Sequence, residues 1–562
     1  MAWKIIGLIL FSLSSLVACD GALEAVAEGS QGEKEASVRS NVAAAPMAEA
    51  VSPQPSAKEA EGGRLVFLFS DPPALDPHVG AGAASALVIV ELFGGLVTVD
   101  QKLEVVPDLA ESWEISPDGT VYTFKIRQDA VFHDGRPVTA EDVRWSLERA
   151  SSPLTGSPAA DLYLGEILGA NDKINGGGQP VAGLKVIDGH TLEITIDAPK
   201  AHFLAKLRNP TGFVLDRQNV ETDPKNWFRK PNGTGPFKLE RYDAGETLLL
   251  ARNEDYHLGP AKLKEVEMIL SGGAAMLMYA DDLIHIARVG LADLDQVLDA
   301  NNPLNAELKG FPSAFSVKYI GLNVNEPPLG DSKVRQSLNL AIDRKELATI
   351  VLGGQVVPAK GILPLGFPGY APDLEGYGFD PERVRQLLAE SKYGGDLENI
   401  PPITLNISRA VGSAVSLDMD VVKRMWEKNL GLSVEIEPAD SATFLKDLQG
   451  RRFQMFDSRW TADYPDPENI LGIKFQSKSG GNHTNYDPPR VDALLREARI
   501  ETDEALRHGL FNRAERLILE DAPWVPLWNG GKTYFLVKPN VRDYFQTPLV
   551  IPRLRYVYLS DQ

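Results

Sequence analysis

The sequence predicts an α/β or α+β protein built in several lobes. Three observations carry this reading. The chain has 562 residues, more than one hydrophobic core ordinarily organises. Stretches in which apolar residues alternate one by one are interleaved with stretches in which they recur three or four residues apart, the periods of strand and helix. No segment repeats another at a fixed spacing. Hydrophobic residues make up 43% and charged residues 24%, the balance of an ordinary globular chain. The 57 Lys and Arg against 77 Asp and Glu give a net charge of −20, which argues against nucleic acid or an anionic membrane surface as the main partner.

The first element is a secretion signal. MAWKIIGLILFSLSSLVACDG opens on Lys4 and continues with an apolar run, Ile5 to Val17, too short to span a bilayer comfortably. It closes on Leu16-Val17-Ala18-Cys19, small residues before the only cysteine. This resembles a bacterial lipobox, which implies cleavage after residue 18 and a diacylglycerol on the Cys19 thiol. Two acyl chains anchor firmly, since each buried methylene contributes roughly 0.8 kcal/mol. An uncleaved anchor and a free cysteine are the alternatives. Without a second cysteine, no disulfide stabilises the fold. Residues 19–62 are rich in Ala, Glu, Ser, Gly and Pro, and bury too little apolar surface to offset ordering entropy. They are read as a flexible tether. No later segment looks transmembrane, so the protein is expected to be exported, lipid-held and otherwise soluble.

The folded part begins at RLVFLF (64–69), apolar enough for a buried strand. In AESWEISPDGTVYTFKIRQDAVFHDGRPVTAEDVRWSLERA (110–150), Trp113 and Ile115 alternate, Ser116-Pro117-Asp118-Gly119 turns, and Tyr122, Phe124 and Ile126 alternate again, a β-hairpin pattern. Thr139-Ala140-Glu141-Asp142 is a capping box, with Asp142 in place of Glu or Gln, that opens a helix carrying Val143 and Leu147. Leu192, Ile194 and Ile196 alternate in a strand, and GTGPFKLERYD (233–243) turns into another. Asp331 caps a helix with Val334, Leu338 and Ile342 on one face, ending near Gly353-Gly354. Asp380-Pro381 starts one with Val384, Leu387 and Leu388. ITLNIS (403–408) is a strand, and a helix over 421–429 leads into the strand LSVEIEP (432–438). Asp487-Pro488 opens a helix with Val491, Leu494, Leu495 and Ala498; a further helix covers 504–519; WVPLWNGGKTYFLV (524–537) is strand-like.

ADYPDPENI (462–470) follows directly on DSRWT and places two carboxylates in an aromatic-flanked loop. Asp463 and Asp466 are an acid/base pair, a cation site or a turn. As a pair they would suit a glycosidase, but no Gly-x-Ser-x-Gly elbow, zincin motif or phosphate-binding loop accompanies them. The eight histidines are scattered, and none forms a close metal-ligand cluster along the sequence. No cofactor is implied.

The order of these motifs resembles the solute-binding proteins of peptide-type ABC importers, the oligopeptide-, dipeptide- and nickel-binding family. The resemblance runs from about Arg64 to Leu559. It rests on ESWEISPDGTVYTFKIRQDAVFHDGRPVTAEDV (111–143), GTGPFKL, NEPPLGDSKVRQSLNLAIDRKEL (325–347) and WTADYPDPENI (460–470). It implies a two-lobed α/β fold joined by two hinge crossovers, near 319–323 and 527–529, with an additional small domain on the first lobe. The first lobe would take 63–96, 208–316 and 529–562, the additional domain 97–207, and the second lobe 317–528. It implies no catalysis. The partners would be a peptide, captured outside the cytoplasmic membrane, and permease subunits, with membrane attachment through Cys19, a monomeric chain and an inner-membrane location if the envelope is Gram-negative. A nickel chelate, an opine, a murein peptide or an oligosaccharide are the family's other ligands. An adhesin or scaffold is a reading of another class.

The resemblance also places residues. Asp463, in WTADY, matches an aspartate that accepts the ligand α-ammonium, and its alternative role is a loop cap. Asp466, between two prolines, reads as a turn or cap. Ser70-Asp71-Pro72 matches the segment beside the ligand backbone, where Pro72 lacks an N–H for strand-like pairing. Some relatives carry an arginine three residues before the tryptophan. Here that position is Asp457 and Arg459 is adjacent instead, so Arg459 either binds a ligand carboxylate or pairs with Asp463. Trp460 either stacks on a ligand or packs in the core.

Overall fold

The computed structural model describes residues 62–80, 82–409 and 414–560. The signal segment, Cys19 and the tether up to residue 61 lie outside the described residues. No described helix is long and apolar enough to cross a membrane.

Three sheets organise the chain. The first has seven strands in the order Leu308–Pro312, Lys532–Val537, Ile286–Arg288, Arg64–Leu68, Glu265–Ile269, Thr247–Arg252, Phe237–Asp243. The second has six: Val356–Pro358, Trp524–Gly530, Ser316–Leu322, Met455–Thr461, Ile403–Ser408, Val434–Ala439. The third has four: Ala110–Ile115, Val121–Ile126, Thr191–Thr195, Leu184–Asp188. Helices cover the sheets, and each large apolar cluster sits between a sheet and its helices.

Local patterns lead to these elements. In the predicted hairpin Trp113 pairs with Phe124 and Ile115 with Tyr122, around a turn in which Gly119 adopts φ 70°. Tyr122, Phe124 and Ile126 are buried, while Ile115 is exposed at the strand end. The capping box forms: the Asp142 N–H donates to Thr139 Oγ1 at 3.3 Å, and the Thr139 N–H donates to Asp142 at 2.9 Å. The helix it opens, Ala140–Ala150, buries Val143 and Leu147. The helices Pro381–Glu390, Pro489–Ile500 and Glu504–Asp521 lie where the apolar periods put them.

The helix opened by Asp331 departs from expectation. It spans Ser332–Leu340 and stops well before Gly353-Gly354. Asp343 caps a new short helix by accepting from the Glu346 N–H at 2.9 Å. The buried Arg344 guanidinium takes the Asn339 carbonyl and side chain at 2.9 and 2.8 Å, which ties off the end of the first helix.

The chain passes from the first sheet to the second through 313–315 and returns through Gly531, between Trp524–Gly530 and Lys532–Val537. Residues 319–322 and 527–529, expected at the crossovers, lie inside second-sheet strands instead. There the antiparallel backbone pairing from Val317–Asn529 to Gly321–Trp524 holds both strands within the sheet, and Tyr319 stacks on Trp524, ring centroids 3.3 Å apart. The glycines sit at the passages because a Cβ on Gly530 would lie 2.5 Å from the Ala314 carbonyl, and one on Gly531 2.6 Å from that of Gln355.

Candidate ligand site

The Met455–Thr461 strand is central in the second sheet. It runs into the loop at 462–466, a short helical turn at Pro467–Asn469 and the helix Leu471–Phe475. Asp466 is the structural member of the aspartate pair. It accepts from the Glu468 N–H at 2.9 Å as a cap, and its two oxygens hold Arg507 at 2.6 and 2.7 Å. With both oxygens committed it does not form an acid/base pair with Asp463.

Asp463 faces residues brought from elsewhere. Its carboxylate accepts from the Tyr163 hydroxyl, on the Ala160–Leu164 helix beside the third sheet. Its own N–H donates to Asn469 Oδ1 at 3.2 Å. Burial pushes the Asp463 carboxyl above the usual carboxylate range, against the opposing pull of Tyr163, Arg208, Lys474 and Asn469. Arg208 donates to the Val550 carbonyl, and burial lowers its pKa. Lys474 is buried with its ammonium 3.7 Å above the Trp460 ring, and burial brings it down to about 7 although Asp463 pulls the other way. Trp460 donates from its indole to Asn469 Oδ1 at 3.0 Å. It is half-buried against the core while one ring face carries Lys474.

Arg459 does not pair with Asp463. Its guanidinium lies 4.5 Å from the Trp528 ring. Asp457 is paired with Lys318 at 2.5 Å. Asp71 holds the turn between two first-sheet strands, accepting from the Tyr242 hydroxyl at 2.6 Å and the Gly245 N–H at 2.8 Å. Pro72 is buried and its carbonyl accepts from the same hydroxyl at 3.0 Å. Ser70 is exposed just beyond the Arg64–Leu68 strand. Of the residues singled out from sequence, Asp463 and Trp460 therefore share one cluster, while Arg459 and the 70–72 segment sit elsewhere. Tyr163, Arg208, Asn469 and Lys474 complete the cluster; Asn469 lies within the 460–470 motif, whereas Tyr163, Arg208 and Lys474 carry no local motif.

A second buried cluster adjoins the first. Glu166, His202 and Glu468 offer ligand atoms within 4.8 Å of one another. The cation already among them is Lys206, 3.0 Å from Glu166 and 3.5 Å from Glu468. Arg499 reaches Glu468 at 3.2 Å, and Tyr464 donates to it. Burial pushes the Glu468 carboxyl up, but Lys206, His202 and Arg499 more than reverse this and hold it at about 2. Elsewhere His78 serves local structure, with Nε2 3.0 Å from the Phe213 carbonyl and Nδ1 2.9 Å from Arg149.

The family profile described as bacterial extracellular solute-binding proteins, family 5 Middle, matches residues 104–482. The chain is 29% identical over 496 residues to the periplasmic oligopeptide-binding protein OppA of Escherichia coli K12, covering 84% of this chain and 88% of that protein. It is also 29% identical over 516 residues to the probable deoxycholate-binding periplasmic protein YgiS of the same strain, covering 88% and 91%. The solved structure of the Escherichia coli murein tripeptide binding protein MppA superimposes with a TM-score of 0.77 at 28% identity, over 90% of this chain and all of that one. Profile, relatives and two-lobed α/β architecture agree: the chain belongs to the bacterial extracellular solute-binding proteins of family 5.

Proposed function

We propose that this chain captures peptides outside the cytoplasmic membrane and delivers them to the permease of an ABC importer, making and breaking no bond itself. The observation that carries this reading is Asp463. It is a carboxylate set between second-sheet and third-sheet elements, with its pKa pushed up by burial and the Tyr163 phenol donating to it. Such a group gains most from a cation with several donors, and a peptide α-ammonium has three. The ammonium would replace the Tyr163 hydroxyl. The peptide binders OppA and MppA among its relatives support the ligand class. Ligand would favour the closed arrangement, in which both lobes touch it.

The remaining assignments belong to the same proposal. The first lobe takes 63–96, 208–316 and 529–562, the additional domain 97–207, and the second lobe 317–528, a division that sheet membership supports except at residues 316 and 529–530, which lie in second-sheet strands. Cys19 carries the lipid, the chain works as a monomer, and Ser70 to Pro72 lie beside the ligand. Calorimetry tests the central point. Asp463→Ala is expected to weaken peptide binding by two decades or more, since breaking a buried pair costs about 3–5 kcal/mol. Nα-acetylated peptides should bind as poorly to the wild type. Equal affinity of free and acetylated peptides would refute the ammonium site.

A further inference from the structure

The Asp463 cluster holds more positive charge than negative. Asp463 is its carboxylate, and both Arg208 and Lys474 act on it. Arg208 is also held by the Val550 carbonyl. Lys474 is held by no oxygen. Among the described residues its ammonium makes no hydrogen bond and no ion pair, and its neighbour is the Trp460 ring at 3.7 Å. The residue is only 5% exposed. A lysine buried to this degree ordinarily has a paired carboxylate or gives up its charge. The remaining titratable groups nearby offer it no partner. The Tyr163 phenol already donates to Asp463. His483 feels both Lys474 and Arg451, and burial together with these two charges brings it down to about 3, so it is neutral around pH 7.

A solute ammonium seated at Asp463 brings a third cation to a single carboxylate. Like charges are costly in a buried site, so the complex is tightest when one of the three becomes neutral. A guanidinium does not shed its proton. The solute amine needs its charge to bind Asp463. Lys474 can become neutral. Burial, opposed by Asp463, already brings it down to about 7, and a further positive neighbour lowers it again.

We propose that Lys474 exchanges a proton for the charge of the solute. As an ammonium-bearing solute takes Asp463, one N–H bond of the Lys474 ammonium breaks and its electron pair stays on Nζ. The proton passes to solvent, and a neutral amine remains over the Trp460 ring. This deepens the peptide reading above and rests on it. Lys474 then selects by charge and by pH. Ammonium-bearing solutes are captured less readily in acid, where the lysine keeps its proton, and a solute without an ammonium displaces none.

Calorimetry of the purified chain with trialanine tests this. It is run at about pH 6.5, where the peptide amine, ordinarily titrating at about 8, is already charged. Phosphate, PIPES and imidazole buffers differ in ionisation heat and so report the protons released. The wild type should release about 0.5–1 proton per peptide bound, and its affinity should rise about fivefold between pH 6 and 7. Lys474→Met removes both effects. Lys474→Arg keeps the charge and cannot shed it, so it releases no proton and binds about tenfold or more weakly than the wild type at pH 7. Trialanine binding to the wild type without proton release overturns the exchange and leaves the peptide reading intact, whether or not either variant folds. Release that persists in Lys474→Met assigns the proton to another group and overturns it as well. No trialanine binding at any pH overturns the peptide reading, and the exchange with it.

Discussion

Two buried charged clusters lie side by side between the third-sheet and second-sheet elements, and they are built in opposite ways. Around Glu166 and Glu468 the carboxylates meet Lys206, His202 and Arg499 directly, and both are held well below the usual range despite burial. Around Asp463 the balance is reversed. Burial outweighs its neighbours, the carboxyl is pushed up, and Lys474 is brought down to about 7. The first cluster is satisfied internally and holds elements together. The second is short of partners, which costs stability and leaves the site ready for a ligand that brings its own charge. Proximity and burial alone do not separate structural charges from binding ones; the direction in which burial and pairing leave each pKa does.

The largest test of this contrast is Lys206→Met. It leaves two buried carboxylates without their shared ammonium and should lower the free energy of unfolding by about 3–5 kcal/mol in urea titration. A loss below about 1 kcal/mol would mean the cluster is not a unit.

Lys474→Met should act in the opposite direction. The lysine's folded pKa of about 7 lies below its ordinary value of 10.5, so the unfolded chain holds more protons between these limits. Stability therefore rises with pH across that window in the wild type. The variant loses this dependence and is expected to be more stable at pH 7 by about 1–4 kcal/mol, as when a buried charge gives way to an apolar side chain. The gain should shrink as pH approaches 10.5. Thermal unfolding across this range checks both points, and a destabilised variant at pH 7 would assign Lys474 to the satisfied cluster.

The smallest effect is in acid. Glu468 has a folded value of about 2 against an ordinary 4.5, so its contribution is complete above 4.5 and is lost as pH falls towards 2. Asp463, shifted upward, is relieved by protonation as pH falls. Glu468→Gln should flatten the acid decline in stability, whereas Asp463→Asn should steepen it slightly. Identical slopes in the two variants would erase the distinction between the clusters.

The sequence by itself determined what depends on neighbours a few residues away. The 113–126 hairpin, the Thr139 capping box and the helices after Pro381 and Pro488 follow from period and capping chemistry, which act locally. The Asp331 helix ends earlier than its apolar period predicts because Asp343 is both a helix residue by position and a cap by chemistry, and a long-range contact, Arg344 to the Pro526 carbonyl at 2.5 Å, favours the cap. Asp463 and Trp460 are legible because they share one short motif, WTADY, at the end of one strand. Tertiary structure decided the rest. Tyr163 meets Asp463 from 300 residues away, Arg459 turns to Trp528 rather than to Asp463, and Asp71 is drawn into a turn by Tyr242. Whether a charge is paired depends on which distant segments surround it, and desolvation, which sets its worth, exists only once they have packed.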